Sequence, residues 1–175
     1  MYSHAQRSAS VPAAVSRVSR SHGGRCSVDD QQVLREIAPP DTNLAYAVMR
    51  ELRTSLSSPE EFVDQVDLIQ RPQGYRLVGV FHGEDADAVS VAGFRQSTSL
   101  SWGRHIYVDD LSTIKSNRGQ GFAGQLLAWI HDEAVRLGCG QIHLDSGVGP
   151  DRRSAHRLYL NQGYEISAHH FVRLV

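Results

Sequence analysis

Residues 118–124 read Arg118-Gly119-Gln120-Gly121-Phe122-Ala123-Gly124, a glycine-rich turn that leads directly into a predicted helix. The helix is indicated by apolar residues at helical spacing, namely Phe122, Leu126, Ile130, Ala134 and Leu137. The first N–H groups of a helix have no partner inside it, and the helix dipole adds partial positive charge there. Because glycines leave these N–H groups uncovered, the stretch predicts an anion site of the kind that binds phosphate, with Arg118 and Lys115 nearby. The alternative is an ordinary turn that uses glycine only for tightness.

The composition bounds the class of protein. A length of 175 residues predicts one domain with a real core, and the net charge of −1 provides no field that would gather nucleic acid. No apolar run approaches the roughly 20 residues that span a bilayer, so we expect a soluble, cytoplasmic protein without a membrane partner. Cys26 and Cys139 form neither a disulfide framework nor a zinc spacing, and the histidines form no metal-binding pair, so no metal is expected.

The first 30 residues differ from the rest of the chain. They carry four arginines, and no acidic residue occurs before Asp29. This composition is typical of an organelle transit peptide, but no amphipathic face emerges. We therefore expect residues 1–30 to be a disordered tail, or the product of a start codon placed too far upstream, and residues 31–175 to form the domain.

The remaining residues predict a mixed α/β fold. In chain order we expect a strand (33–38), two helices (44–56 and 59–70), three strands (75–82, 88–96 and 104–113), a helix from 122, a strand (141–145), a helix (151–161) and a final extended segment (164–175). In an unbroken strand over 104–113, Tyr107, Asp109 and Leu111 share one face, while Val108, Asp110 and Ser112 share the other.

The glycines also match a dinucleotide-binding pattern, Gly119-x-Gly121-x-x-Gly124, with Asp145 about 20 residues further on. Three features disfavour this interpretation. Four residues separate the preceding strand from the first glycine, that strand contains two carboxylates, and about 50 residues follow, too few for the remaining strand–helix units. A Walker-type phosphate loop is excluded because no Gly-Lys-Ser/Thr follows the glycines.

Two motifs in register carry a family resemblance. The first is Arg118-x-x-Gly121-x-Ala123, and the second is Ala155-x-x-Leu158-Tyr159-x-x-x-Gly163-Tyr164. With this spacing the sequence resembles the GCN5-related N-acetyltransferase (GNAT) family over most of its predicted domain. The resemblance implies a mixed, mostly antiparallel sheet of about six to seven strands flanked by about four helices. One departure is Arg152, which stands where many members have asparagine, so no cofactor contact is carried over to that position.

The resemblance also implies a site. Acetyl-CoA would be the co-substrate, with its pyrophosphate on the glycine turn and its pantetheine arm along the preceding strand. The residues implied to bind it are Leu111, Ser112, Thr113, Arg118, Gly119, Gln120, Gly121, Phe122, Ala123 and Gly124. Tyr159 would protonate the departing thiolate. Asp109, with Asp110 as second choice, would accept the proton of the attacking amine, unless a water relay does so.

We therefore expect acetyl transfer to the primary amine of a small molecule. Two acids on the acceptor side favour a cation such as a polyamine or an aminoglycoside. The alternatives are acetylation of a protein lysine or N-terminus, a non-catalytic acyl-CoA sensor, and a dinucleotide-binding module. An acceptor pocket is expected from residues 43–71 and 97–103, and a homodimer is left open.

Overall fold

The computed structural model describes residues 32–83 and 86–175. Its centre is a sheet made by Gln32–Ile37 (β1), Tyr75–His82 (β2), Ala88–Ser99 (β3), Gly103–Thr113 (β4) and Gln141–Leu144 (β5), in that spatial order. β1 to β4 pair antiparallel, and β4 pairs parallel with β5. The tail predicted over residues 1–30 lies outside the described residues.

Four α-helices flank the sheet: Tyr46–Leu52 (α1), Pro59–Asp64 (α2), Phe122–Arg136 (α3) and Arg153–Asn161 (α4). α2 begins as its sequence predicts, because the Ser58 hydroxyl accepts the N–H of Glu61 at 3.1 Å and caps the first turn. α1 is shorter than the predicted helix over 44–56. It ends at Leu52, and Arg53 then leaves helical geometry with φ −111° and ψ 76°.

Both faces of the sheet are covered by helices. On one face, α1 and α2 pack on a buried cluster that includes Ile37, Val48, Phe62, Leu77, Phe81 and Val91. On the other face, α3 packs on a cluster that includes Val78, Val80, Phe94, Ile106, Val108, Phe122, Leu126 and Ile130. This explains why β2 reads as a nearly continuous apolar run, since its side chains are buried on both sides.

The sheet has five strands among the described residues, fewer than the six to seven that the resemblance implied. The segment over 164–175 forms no strand. Its large apolar side chains are exposed, as at Ile166, Phe171 and Leu174. The neighbouring edge strand β5 has only four residues, which offers little backbone for a further strand to pair with.

The architecture confirms the expected mixed, mostly antiparallel sheet with four α-helices. The strand before the glycine turn pairs antiparallel with β3, whereas a dinucleotide-binding fold would place it in a parallel sheet. No helix among the described residues is both long enough and apolar enough to cross a bilayer.

Candidate active site

The site lies where β4 and β5 part. The two strands pair from His105 with Gln141 to Val108 with Leu144, and there β5 ends while β4 continues to Thr113. Beyond Val108 the edge of β4 therefore has no strand partner on this side among the described residues, and its residues Asp109 and Leu111 face a cleft of about 220 Å³. The cleft is lined by Leu52, Arg53, Val108, Asp109, Leu111, Leu144, Asp145, Gly147, Arg152 and Tyr159.

A β-bulge sits in β4 at the mouth of this cleft. Gly93 of β3 pairs with Asp110, but the next residue, Phe94, pairs with Val108, so that Asp109 is the extra residue. A bulge resets the alternation of side chains. Val108 and Leu111 consequently belong to the same apolar cluster beneath α3, and the predicted division into two alternating faces was wrong.

Asp110 is the more buried of the two adjacent acids, with 7% of its surface exposed. Its carboxylate accepts the Tyr75 hydroxyl at 2.8 Å and the Arg53 guanidinium at 2.7 Å. Tyr75 reaches it only because residue 93 is glycine, since a Cβ there would lie 1.7 Å from the Tyr75 hydroxyl oxygen. Asp110 thus has two fixed donors and joins the α1 end to the sheet.

Asp109 has a different environment. Its side chain is 23% exposed, lines the cleft and accepts Arg95 Nε at 2.8 Å. Burial raises the pKa of this carboxyl above its usual value, the hydrogen bond and charge of Arg95 oppose that shift, and the neighbouring charge of Asp110 adds to it. A carboxylate with a raised pKa that faces a cleft is suited to accept a proton.

The glycine turn presents bare main-chain donors. Gly119 and Gly121 have positive φ angles of 80° and 87°, which glycine adopts readily. Among the described residues, no acceptor takes the N–H groups of residues 119–124. These groups lie at the N-terminus of α3, where the helix dipole is positive, so the turn can hold an anion.

Arg118 is less available than the sequence suggested. Its Nε donates to the carbonyl of Thr113 at 3.0 Å, and its Nη2 pairs with Glu51 at 2.7 Å. The same Glu51 carboxylate accepts the backbone N–H of Lys115 at 3.0 Å. Arg118 therefore ties the turn to β4 and to α1.

The implied pantetheine-binding strand is also partly engaged. The carbonyl of Ser112 accepts the Ser90 hydroxyl at 2.9 Å, and the Ser112 hydroxyl donates to the carbonyl of Val48 at 2.9 Å. The carbonyl of Asp109 accepts Arg53 at 2.9 Å. Leu111 lines the cleft, and β5 pairs with none of residues 109–113.

Tyr159 lies in the cleft wall on α4, with 8% of its surface exposed. Its ring packs edge-on against Tyr164 with 6.1 Å between centroids. Burial raises the pKa of the Tyr159 phenol, while the charge of Arg152 opposes that rise. The structure therefore brings Tyr159 and Asp109 to one cleft, while the glycine turn follows β4 at its far end.

Several residues of the site could not be found from local sequence patterns. Arg53 contacts Asp110 across 57 positions of chain, and Tyr75 contacts it across 35. Arg95 was likewise missed as the partner of Asp109. The one signal that could have found the pair is the prediction of consecutive strands, with Arg95 in the first and the two acids in the second. Among the described residues, no group of three or more metal-ligating side chains is arranged to hold an ion.

Comparisons with known proteins identify the family of this chain. A model of the acetyltransferase (GNAT) family matches residues 45–164. The uncharacterized N-acetyltransferase YhdJ of Bacillus subtilis (strain 168) is 29% identical over 128 residues, covering 73% of this chain and 87% of that protein. The aminoalkylphosphonate N-acetyltransferase of Salmonella typhimurium (strain LT2) is 30% identical over 142 residues, covering 80% of this chain and 89% of that protein.

A solved structure shows the same fold. The aminoglycoside N-acetyltransferase AAC(6')-Iy, in complex with CoA, superposes with a TM-score of 0.69 over 83% of this chain and 95% of that chain, at 13% identity. The family match covers β2 to β5, the glycine turn and α4, the helix that carries Tyr159. The chain therefore belongs to the acetyltransferase (GNAT) family and is an N-acetyltransferase.

Proposed function

We propose that this enzyme transfers an acetyl group from acetyl-CoA to the primary amine of a small molecule. The observation that carries the proposal is the parting of β4 from β5 beyond Val108, next to Tyr159. It leaves a strand edge open to an extended ligand, which can pair with main-chain groups as an added strand would.

The residues present fit CoA. The N–H groups of residues 119–124 have no protein acceptor among the described residues and would hold the diphosphate. The open edge over Leu111 to Thr113 would bind the pantetheine arm. Arg118 would act by fixing the turn through Thr113 and Glu51 more than by a direct charge on phosphate. Bound acetyl-CoA would supply a thioester, an activated acyl donor.

Asp109 is proposed to accept a proton from the attacking amine, directly or through water. An alkyl amine with a pKa near 10 is mostly an ammonium at neutral pH and must lose a proton before it attacks. Asp109 faces the cleft, and its pKa is raised by burial. Asp110 is the weaker candidate, because Tyr75 and Arg53 already donate to its carboxylate.

Tyr159 is proposed to donate a hydrogen bond to the departing sulfur. Its side chain lines the cleft, and its helix brings the second family motif to the open part of β4. A backbone N–H of the same strand edge would stabilise the charge that develops on the thioester oxygen.

The acceptor is proposed to be a small amine, and the charge argument for a polyamine or aminoglycoside becomes weaker. That argument needed two free carboxylates, but Asp109 pairs with Arg95 and Asp110 with Arg53. The relative from Salmonella is named for aminoalkylphosphonates, which combine an amine with an anionic group. An amine of that kind is therefore a second candidate beside the cationic amines, and a protein amine is a third.

Calorimetric titration with CoA tests the cofactor site. In Gly121→Ala the new methyl group would stand in the mouth of the turn, and we expect CoA to bind at least about tenfold more weakly. Gly74→Ala is the matched control. Gly74 has φ 89°, like Gly121 at φ 87°, and an added Cβ meets nothing within 4 Å at either position. Equal CoA affinity in both variants, or binding of NAD without CoA, would reject the proposed site.

A screen of acceptors tests the reaction. The enzyme would be incubated with acetyl-CoA and a polyamine, an aminoglycoside, an aminoalkylphosphonate or a lysine peptide, and acetylated products would be identified by mass spectrometry. Tyr159→Phe is expected to keep CoA affinity but to lower kcat by about 10²-fold. Full turnover in that variant would remove Tyr159 from the mechanism, and exclusive labelling of the peptide would replace the small-molecule acceptor.

A further inference from the structure

Arg152 is the unexpected residue of the cleft. It precedes α4 and lines the cleft together with Tyr159. Its Nε donates to the Ser146 hydroxyl at 3.4 Å. Burial raises the pKa of the Tyr159 phenol, and the charge of Arg152 and a hydrogen bond with it oppose that rise, so the guanidinium lies next to the phenol. No carboxylate among the described residues forms an ion pair with Arg152. Its guanidinium is therefore a full charge without a carboxylate partner among the described residues.

The other charged groups of the cleft are paired. Arg53 binds Asp110, and Asp109 binds Arg95. Asp145 accepts the Tyr107 hydroxyl and lies 3.0 Å from the His170 ring. Arg152 is thus the cation of this cleft, among the described residues, that remains available to a negative charge on a ligand.

Tyr159 alone is poorly matched to the departing sulfur. A thiol has an ordinary pKa of about 8.5, and a phenol has one of about 10, so proton transfer from phenol to thiolate is uphill. Burial raises the pKa of the Tyr159 phenol, and Arg152 opposes that rise without cancelling it, so the transfer stays unfavourable. The sulfur needs a second source of stabilisation as its bond to carbon breaks.

We propose that Arg152 supplies this stabilisation by binding the thiolate of CoA as it forms. This inference rests on the proposed function. The N–C bond to the amine forms, the C–S bond breaks, and the electron pair of that bond stays on sulfur. Arg152 holds the resulting charge until Tyr159 or water provides a proton, while Asp109 takes the proton released by the amine. Arg152 is then a catalytic residue, and Tyr159 is chiefly a hydrogen-bond donor beside it.

The ionisation of the bound CoA thiol tests this without an acceptor. The thiolate is followed by ultraviolet absorbance across a pH series, as the difference between the enzyme–CoA complex and the enzyme alone. An opposite charge within contact distance lowers a pKa by about 1 to 3. We expect the bound thiol to titrate at least about one pH unit higher in Arg152→Gln than in the wild type.

Two further variants control the measurement. Arg152→Lys keeps the charge and should leave the thiol close to its wild-type titration. Arg157→Gln removes an exposed arginine of the same helix that does not line the cleft, and it should change nothing.

Each outcome decides the question. If wild-type enzyme binds CoA and its thiol titrates alike in the wild type and in Arg152→Gln, the role of Arg152 is wrong while the proposed function stands. If Arg152→Gln no longer binds CoA, Arg152 serves cofactor affinity, which also overturns the proposal. If the wild type itself does not bind CoA, the proposed function fails first and this inference fails with it.

Discussion

Two adjacent aspartates in β4 have separate tasks because their surroundings differ. Asp110 is buried and receives donors from Tyr75 and Arg53, whereas Asp109 faces the cleft and pairs with Arg95 at its side. A buried carboxylate that accepts hydrogen bonds from two fixed donors contributes to the stability of the fold. A carboxylate that desolvation makes more basic is suited to accept a proton. Within this dipeptide, Asp110 therefore serves the structure, while Asp109 is suited to the chemistry.

This difference predicts that one isosteric substitution lowers stability and the other lowers turnover. Asp110→Asn should lower the free energy of unfolding by about 1–3 kcal/mol, because the guanidinium of Arg53 then meets an amide in place of a charge. Asp109→Asn should lower kcat by about 10²-fold without the loss of stability expected for Asp110→Asn. Urea unfolding and turnover, measured on both variants with an amine from the acceptor screen, check the pair. The reverse pattern would make Asp110 the base.

The pH dependence of stability gives Asp109 a second signature. Its pKa is raised in the folded chain, so the folded state binds its proton more tightly than the unfolded state does. The wild type should lose stability relative to Asp109→Asn as pH rises from about 4 through that raised pKa. A stability difference that is constant with pH would mean that burial does not raise this pKa.

At the scale of elements, the bulge in β4 decides which side chains reach the cleft. Gly93 lies opposite the bulge, and its missing side chain admits the Tyr75 hydroxyl to Asp110. The start of α2 follows from capping by Ser58 and the α3 stripe follows from helical spacing, and both are local properties. The bulge depends on pairing between strands, so alternation along β4 alone wrongly placed Val108 and Leu111 on opposite faces.

Gly93→Ala tests the close approach of the Tyr75 ring to Gly93, opposite the bulge. The added Cβ would lie 1.7 Å from the Tyr75 hydroxyl oxygen and 2.3 Å from its Cζ, so the ring must move away from Asp110. We expect a loss of about 1–3 kcal/mol in the free energy of unfolding. Gly140→Ala is the control, since a Cβ there meets nothing within 4 Å. Equal urea midpoints for the two variants would show that Tyr75 does not occupy the space above Gly93.

At the scale of the molecule, much of the fold was readable because its signals are periodic and local. The order of elements from β1 to α4, the N-cap at Ser58 and the glycine turn before α3 all appear where the sequence predicted them. The final strand was not found, because the exposed apolar residues of 164–175 have the composition of a strand without a long edge to pair with. Contacts between distant residues, such as Arg53 with Asp110, carry no local signal.

A network of charges joins the sheet to α3, on the face away from α1 and α2. Glu133 of α3 is 7% exposed and pairs with Arg76 of β2 and with Arg136. Arg76 also binds Glu36 of β1, at 2.7 and 2.8 Å, and lies over the Phe94 ring. One buried carboxylate thereby connects two strands and a helix, and its loss would leave Arg76 with a single acid.

Glu133→Gln should therefore lower the free energy of unfolding by about 1.5–3 kcal/mol at pH 7, the range for hydrogen bonds to charged groups. The hydrogen bonds from Arg136 and Arg76 lower the pKa of Glu133 against the opposing effect of burial. A carboxylate whose pKa is lowered in the folded state stabilises the fold above its unfolded pKa of about 4.3. This contribution is lost as pH falls through the folded-state pKa. The difference between wild type and variant should accordingly shrink in acid. Asp132→Asn, an exposed neighbour on the same helix with no ion pair among the described residues, should show neither effect. If the loss of unfolding free energy in Glu133→Gln stays the same in acid, it comes from packing and not from the charge of Glu133.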